Sequence, residues 1–139
     1  MASMNNATRK MIIDIASSQG FNVQLKADGT DLYDKNLVFK SRRYPSQVFI
    51  NRETGISKTT GESSYLKVAV HPGHFRKEVI DPDAGIEDNL NIRTKINRHS
   101  SSNYVGFPVF SGNKEPCGQC YKVTGLPALE RLFKGLQGA

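Results

Sequence analysis

The chain has 139 residues, of which 37% are hydrophobic and 23% are charged. This length and balance are typical of one globular domain and exclude a disordered chain. Its 19 Lys and Arg residues against 13 Asp and Glu residues give a net charge of +6, which favours an anionic partner. We therefore expect a single domain over residues 1–139, with residues 1–4 as a frayed leader.

Neither a membrane protein nor a disulfide-stabilised secreted protein fits the sequence. Apolar runs such as Val68–Val70, which lies between Lys67 and His71, are too short to span a bilayer. The N-terminus has no long apolar core before a small-residue cleavage site, as a signal peptide would have. The two cysteines are too few for a disulfide framework. We therefore expect a cytoplasmic protein without a membrane partner.

The charge is arranged in blocks along the chain. Residues 1–39 are neutral, and residues 40–77 carry eight bases against two acids. Residues 78–92 hold five acids and no base, and residues 93–139 carry seven bases against two acids. Two basic blocks are therefore separated by an acidic one.

The first predicted element is an amphipathic helix over Asn5–Ser18, because its apolar residues recur at helical spacing and Gly20 can end it. The period then changes to two over Phe21–Leu25, which predicts a strand. The following Asp28-Gly29 pair is typical of a hairpin turn.

Three short runs rich in β-formers predict further strands in the middle of the chain: Leu37–Phe39, Gln47–Ile50 and Tyr65–Val70. Tyr44-Pro45 separates the first two strands, and a Thr, Gly and Ser-rich stretch over 57–64 precedes the third. Connections of this length are too short to hold a crossover helix, so we expect the strands to pair antiparallel.

The second half begins with a Pro-Gly turn at residues 71–74, a helical turn over Phe75–Ile80 and an acidic surface loop. The segment Leu90–Asn97 has both strand and helix character, and we leave it open. Further strands are predicted over Tyr104–Phe110 and Tyr121–Val123, on either side of a loop.

A closing amphipathic helix is predicted to begin at Pro127 and to end at Gly138. A helix near each end with strands between them indicates an α+β domain. The expected fold is a mostly antiparallel sheet with an N-terminal and a C-terminal helix.

Two basic tracts favour binding to DNA or RNA. Each combines cations, which can contact phosphates, with a nearby aromatic residue that could stack on a base. We expect them to lie side by side in the folded chain and to form one phosphate-binding surface. The candidate nucleic-acid-binding residues are Lys40, Arg42, Arg43, Tyr44, Arg93, Lys95 and Arg98.

A pair of two-residue-gapped motifs raises the possibility of a zinc site. His71-x-x-His74 and Cys117-x-x-Cys120 together supply the four nitrogen and sulfur ligands that a tetrahedral Zn²⁺ ion requires. The alternative is that the cysteines are small buried hydrophobes and that the histidines belong to a polar turn. We call these four residues the predicted zinc ligands.

The segment Pro116–Cys120 resembles the second half of the zinc-dependent nucleobase deaminase signature, P-C-x-x-C. The first half of that signature, H-x-E, is not matched, because His71-Pro72 is followed by Gly73 where the family has its proton-shuttling Glu. This departure argues against an active deaminase.

The order of elements, a helix, antiparallel strands and a helix, loosely resembles that of the restriction-endonuclease-like nucleases. In that family acids hold Mg²⁺ and a lysine stabilises the phosphate charge that develops during cleavage. The corresponding catalytic candidates are Asp34, Glu53 and Lys67. The sequence departs from the family motif at Tyr65, which stands where the acid before Lys67 should be. The alternative is that these three are ordinary turn and surface residues.

The sequence therefore predicts a small basic domain that binds or processes nucleic acid. A metal-dependent nuclease or a zinc-binding protein is the first alternative, with Zn²⁺ as its possible cofactor. A protein-interaction or inhibitory factor, whose basic face meets an acidic protein, is the second. The sequence leaves open whether the chain is an enzyme.

Overall fold

The computed structural model describes residues 6–24, 36–51, 65–91, 94–101, 104, 107–110 and 114–137. Over these residues the chain forms two α-helices and a mostly antiparallel sheet of seven strands. The predicted α+β class is confirmed. The predicted Asp28-Gly29 turn and the 57–64 stretch lie outside the described residues.

The helices are α1 (Asn6–Ser18) and α2 (Leu126–Leu136). Three short 3₁₀ turns lie at Pro72–His74, Lys77–Val79 and Pro82–Ala84. The strands are β1 (Asn22–Val23), β2 (Asn36–Ser41), β3 (Tyr44–Asn51), β4 (Leu66–Val70), β5 (Ile86–Asp88), β6 (His99–Ser100) and β7 (Cys117–Val123).

The sheet is a meander extended by later strands. The order β1-β2-β3-β4 follows the chain, and β7 then pairs with β4. The outer side of β7 is shared, because β5 pairs with its second half and β6 with its beginning. All of these pairings are antiparallel, as the short connections predict.

Both helices cover the same face of the sheet and form the main core with it. Pro127 lies in the first turn of α2, where its missing N–H leaves no hydrogen bond unmade. Phe133 of α2 contacts Phe21 and Phe39, with ring centroids 4.8 and 5.7 Å apart. The helical residues buried in this core are Ile12, Ala16, Ala128, Leu129, Leu132, Phe133 and Leu136.

A smaller apolar cluster covers part of the opposite face. Tyr104 and Phe107, from the segment after β6, pack on Phe49, with ring centroids 5.3 and 5.2 Å away. Gly118 leaves room for the Phe107 ring, because a Cβ at this position would make tight contacts of 3.1 Å with both the ring and the Val70 carbonyl oxygen. The residues of this second cluster are Val38, Phe49, Ala69, Tyr104, Phe107 and Cys120.

Three predictions about the second half of the chain need correction. The acidic segment is not only a loop, because it contains the strand β5. The predicted strand Tyr104–Phe110 is wrong, since the residues described there are irregular. The strand β7 begins at Cys117, so the Cys-x-x-Cys motif lies within a strand and not in a loop.

The open segment Leu90–Asn97 is neither strand nor helix over its described residues, 90–91 and 94–97. By contrast, the 3₁₀ turn Lys77–Val79 confirms the helical turn predicted over Phe75–Ile80. None of the helices among the described residues has the length and apolar character to cross a membrane.

Candidate nucleic-acid interface

The first basic tract forms the turn of the β2–β3 hairpin. Ser41 pairs with Tyr44, so Arg42 and Arg43 are the two residues of the turn itself. The Ser41 hydroxyl accepts a hydrogen bond from the Arg43 backbone N–H at 3.2 Å. Both arginines are exposed, as is Lys40 at the end of β2. The hairpin therefore carries three cations at one end of the sheet.

These three cations line a groove of about 460 Å³, which we call the hairpin groove. The hairpin forms one wall of this groove. Gly20 and Gln137, at the C-terminal ends of α1 and α2, form the other wall. Gly20 adopts the left-handed conformation (φ +83°) that ends α1, and the Gln137 side chain lies beside it. Among the described residues that line the groove, none is acidic. They are Gly20, Asn22, Gln24, Lys40, Ser41, Arg42, Arg43 and Gln137.

Tyr44 does not offer the stacking surface that the sequence suggested. Its side chain is only 3% exposed, and its ring packs near Phe21 with centroids 6.1 Å apart. Its hydroxyl donates to the backbone carbonyl of His74. Alternation along β3 turns Tyr44 into the main core, so it supports the hairpin from beneath and is not available to a base.

The segment after β4 lies beside the hairpin at the same end of the sheet. The Ser46 hydroxyl accepts from the His71 backbone N–H at 2.9 Å. The guanidinium carbon of Arg76 lies 5.8 Å from the centroid of the Tyr44 ring. Sequence reasoning did not single out Arg76, and its only signal was its place in the first basic block.

The same segment is fastened to the sheet by Tyr121 of β7. The Tyr121 hydroxyl accepts from the Arg76 backbone N–H at 2.7 Å and donates to the Arg76 carbonyl at 3.1 Å. The Tyr121 ring stacks on Phe75, with centroids 4.4 Å apart. Burial raises the pKa of three tyrosines in the described part of the chain well above the ordinary value of 10.0; these are Tyr44, Tyr104 and Tyr121.

Of the second basic tract, Arg98 lines a separate groove. Arg98 lines a depression of about 350 Å³ together with Phe110 and Gln119, and its guanidinium carbon is 4.1 Å from the Phe110 ring centroid. We call this depression the Arg98 groove. Lys95 is exposed and does not line it, and Arg93 lies outside the described residues.

The hairpin cations and Arg98 do not line the same groove. His99 pairs with Gly118, at the beginning of β7, and Val70 at the end of β4 pairs with Gln119. The His74 contact with Tyr44 brings the hairpin to that same end. The two grooves share none of the lining residues described. The hairpin cations and Arg98 therefore line separate grooves.

The nuclease hypothesis is not tested by this structure. Asp34 and Glu53 lie outside the described residues. Lys67 is half-buried in β4, where it pairs in register with Lys122. Near it, burial raises the pKa of the Cys120 thiol to about 12, an effect that the Lys67 charge opposes. The catalytic role of the three candidates stays a prediction.

The four predicted zinc ligands do not come together in a recognisable site. The His71 and His74 rings have centroids 5.3 Å apart, and Nδ1 of His71 already accepts from the Gly73 N–H at 2.9 Å. Both cysteines are fully buried in β7, and positions three apart on a strand face opposite sides. Within the described part of the chain, no three His, Cys, Asp or Glu residues are placed to hold a metal ion. The zinc site stays a prediction.

No family model, no curated protein and no solved structure matches this chain. The function is therefore inferred from the geometry of the two grooves.

Proposed function

We propose that this chain binds nucleic acid by holding phosphate groups in the hairpin groove. The observation that carries the proposal is the lining of that groove. Three exposed cations, Lys40, Arg42 and Arg43, line it, and none of the described lining residues is acidic. Phosphate oxygens are the ligands that such a cluster contacts best.

The remaining polar residues of the groove suit a sugar-phosphate backbone. Asn22, Gln24 and Gln137 each carry an amide that can donate to phosphate or ribose oxygens. The described lining contains no aromatic residue. The hairpin groove therefore grips a backbone without reading bases, and its affinity is expected to be independent of sequence.

Acidic residues of the 78–92 block have partners of their own elsewhere. Asp81 accepts from the Arg131 guanidinium at 2.9 Å, and Asp88 accepts from the Asn97 side chain. Glu78 lies 3.8 Å from the Arg76 guanidinium. These carboxylates do not line the hairpin groove, so the positive charge of the groove is left to attract an anion.

The test compares a triple variant with a charge-matched control. Lys40→Ala, Arg42→Ala and Arg43→Ala combined removes the cations of the groove. Lys10→Ala, Lys114→Ala and Lys134→Ala combined removes three exposed cations that do not line the groove. At low salt, fluorescence anisotropy with labelled DNA and RNA should show at least a tenfold weaker affinity for the triple variant, and nearly wild-type affinity for the control.

Equal affinity of the triple variant and the wild type would remove the hairpin groove from the proposal. The same measurement distinguishes the acidic-protein alternative. If the wild-type chain binds neither DNA nor RNA but does bind poly-glutamate, the partner is an acidic protein and not nucleic acid.

A further inference from the structure

The Arg98 groove has a different chemistry from the hairpin groove. It combines one cation with apolar and amide side chains: Pro72, Ile96, Asn97, Arg98, Phe110 and Gln119. Ile96 is 47% exposed and Phe110 is half-buried, so apolar surface is open to a ligand here.

We propose that the Arg98 groove takes one unpaired nucleobase of the strand whose phosphates the hairpin groove holds. This inference rests on the proposed function and narrows it to single-stranded nucleic acid. It assigns a base-contacting role to Phe110, Arg98 and Gln119.

The first argument is the pair of flat groups in the groove. The Arg98 guanidinium carbon lies 4.1 Å from the Phe110 ring centroid, so a planar cation and an aromatic ring already lie against each other. Unpaired bases stack on aromatic rings and on guanidinium planes. Pro72 and Ile96 add apolar walls for the remaining base surface.

The second argument is the different state of the two amides. The Asn97 side chain is fully engaged, since its Nδ2 donates to Asp88 and to the Cys120 carbonyl and its Oδ1 accepts from the Cys120 N–H at 2.7 Å. Within the part of the chain that the structure describes, no such partner is seen for the Gln119 amide. Asn97 therefore fixes the loop, and Gln119 offers a donor and an acceptor to a base edge.

The third argument is size and position. A volume of about 350 Å³ is near the lower end of the range for small-ligand pockets, roughly 300–1,000 Å³, which suits one planar group. Three strand spacings separate β2 from β7, or about 14 Å. A single strand of several nucleotides can extend well beyond the separation of these two strands, whereas a base inside a duplex cannot enter the groove.

The test measures how much of the affinity comes from bases. Labelled single strands of about 16 nucleotides are used in two forms, oligo-dA and an abasic strand of the same length and charge. We expect the wild-type chain to bind oligo-dA about tenfold more tightly than the abasic strand. Phe110→Ala should abolish this preference and leave the affinity for the abasic strand unchanged. Val109→Ala, a truncation of the exposed neighbour outside the groove, should keep it.

A second variant separates stacking from charge and from folding. Arg98→Lys keeps the positive charge but removes the planar guanidinium, so the preference for oligo-dA should fall while the salt dependence stays the same. Equal binding of both strands by the wild-type chain, or loss of the preference in Val109→Ala as well, would overturn the inference. The proposed function would still hold after such a result if the triple substitution in the hairpin groove weakens binding to both strands. Failure of every strand to bind would instead overturn the proposed function.

Discussion

Replacing Tyr121 by Phe tests how the segment after β4, which contains Arg76, is held against the sheet. The substitution removes one hydroxyl and leaves the ring stacked on Phe75. That hydroxyl makes two hydrogen bonds, one with the N–H and one with the carbonyl of Arg76. Each hydrogen bond contributes about 0.5–1.5 kcal/mol net, so we expect a loss of about 2 kcal/mol in the free energy of unfolding.

The matched control is Tyr44→Phe, which removes a hydroxyl with a single hydrogen bond, to the His74 carbonyl. We expect this variant to lose about 1 kcal/mol, half the effect of Tyr121→Phe. Urea unfolding at constant m-value measures both free energies. Amide exchange provides a local readout, because the Arg76 N–H should exchange faster in Tyr121→Phe and not in Tyr44→Phe.

Equal losses in the two variants would refute this reasoning, since the difference depends on the second hydrogen bond. So would unchanged exchange at the Arg76 amide in Tyr121→Phe. Either result would mean that the segment is held by side-chain packing and not by the tyrosine hydroxyl.

Three further predictions concern alkaline pH, a glycine and zinc. Burial raises the pKa of Cys120 and of the tyrosines Tyr44, Tyr104 and Tyr121, so the unfolded chain ionises first as the pH rises. The free energy of unfolding should therefore fall above about pH 9, and a flat profile to about pH 11 would contradict this. Gly85→Ala places a Cβ 2.7 Å from the Thr124 carbonyl oxygen at φ +88°, whereas Gly20→Ala, at φ +83°, places its Cβ at an ordinary contact distance of 3.5 Å from the Gln137 side chain. Thermal unfolding should show a loss larger by at least about 1 kcal/mol for Gly85→Ala, and equal losses would exclude the clash. If the predicted zinc ligands bind a metal, elemental analysis of protein purified without added metal should find about one zinc per chain, and a content far below one would exclude the site.

The elements with strong local patterns were predictable from the sequence. The helix predicted over Asn5–Ser18 is observed over Asn6–Ser18, because its apolar spacing leaves one face to bury. The strands predicted at Leu37–Phe39 and Gln47–Ile50 are both present and longer than predicted. Runs of β-formers pack well in a central sheet whichever strands lie beside them, so their strand structure is stable in many arrangements.

Pro45 misled the prediction of where β3 begins. A proline in a strand usually marks its end, yet Pro45 lies inside β3. Tyr44 pairs with Ser41, so the Pro45 nitrogen points away from β2. On that other side β4 ends at Val70, opposite Val48, and no ladder hydrogen bond is lost. This depends on tertiary pairing, which local sequence does not encode.

The candidate site was only partly predictable, because the orientations of its residues also depend on tertiary pairing. Lys40, Arg42 and Arg43 stood out as cations between two predicted strands, and in the structure Arg42 and Arg43 form the hairpin turn while Lys40 lies near the end of β2. The orientation of Tyr44 required knowing which face of β3 the helices cover. Cys117 and Cys120 face opposite sides because β7 already begins at Cys117, whereas the sequence predicts a loop up to Cys120. The apolar pattern is interrupted by Gly118 and does not reveal this earlier start.

The dependence of affinity on salt concentration tests the central claim most directly. Three phosphates neutralised by the hairpin cations should give a slope of log K against log salt of about −2 for a single strand. The triple variant should lose about that much slope relative to the wild-type chain, between about 50 and about 200 mM salt. Parallel lines for the two proteins, or a wild-type affinity that does not change with salt, would contradict phosphate binding in the hairpin groove.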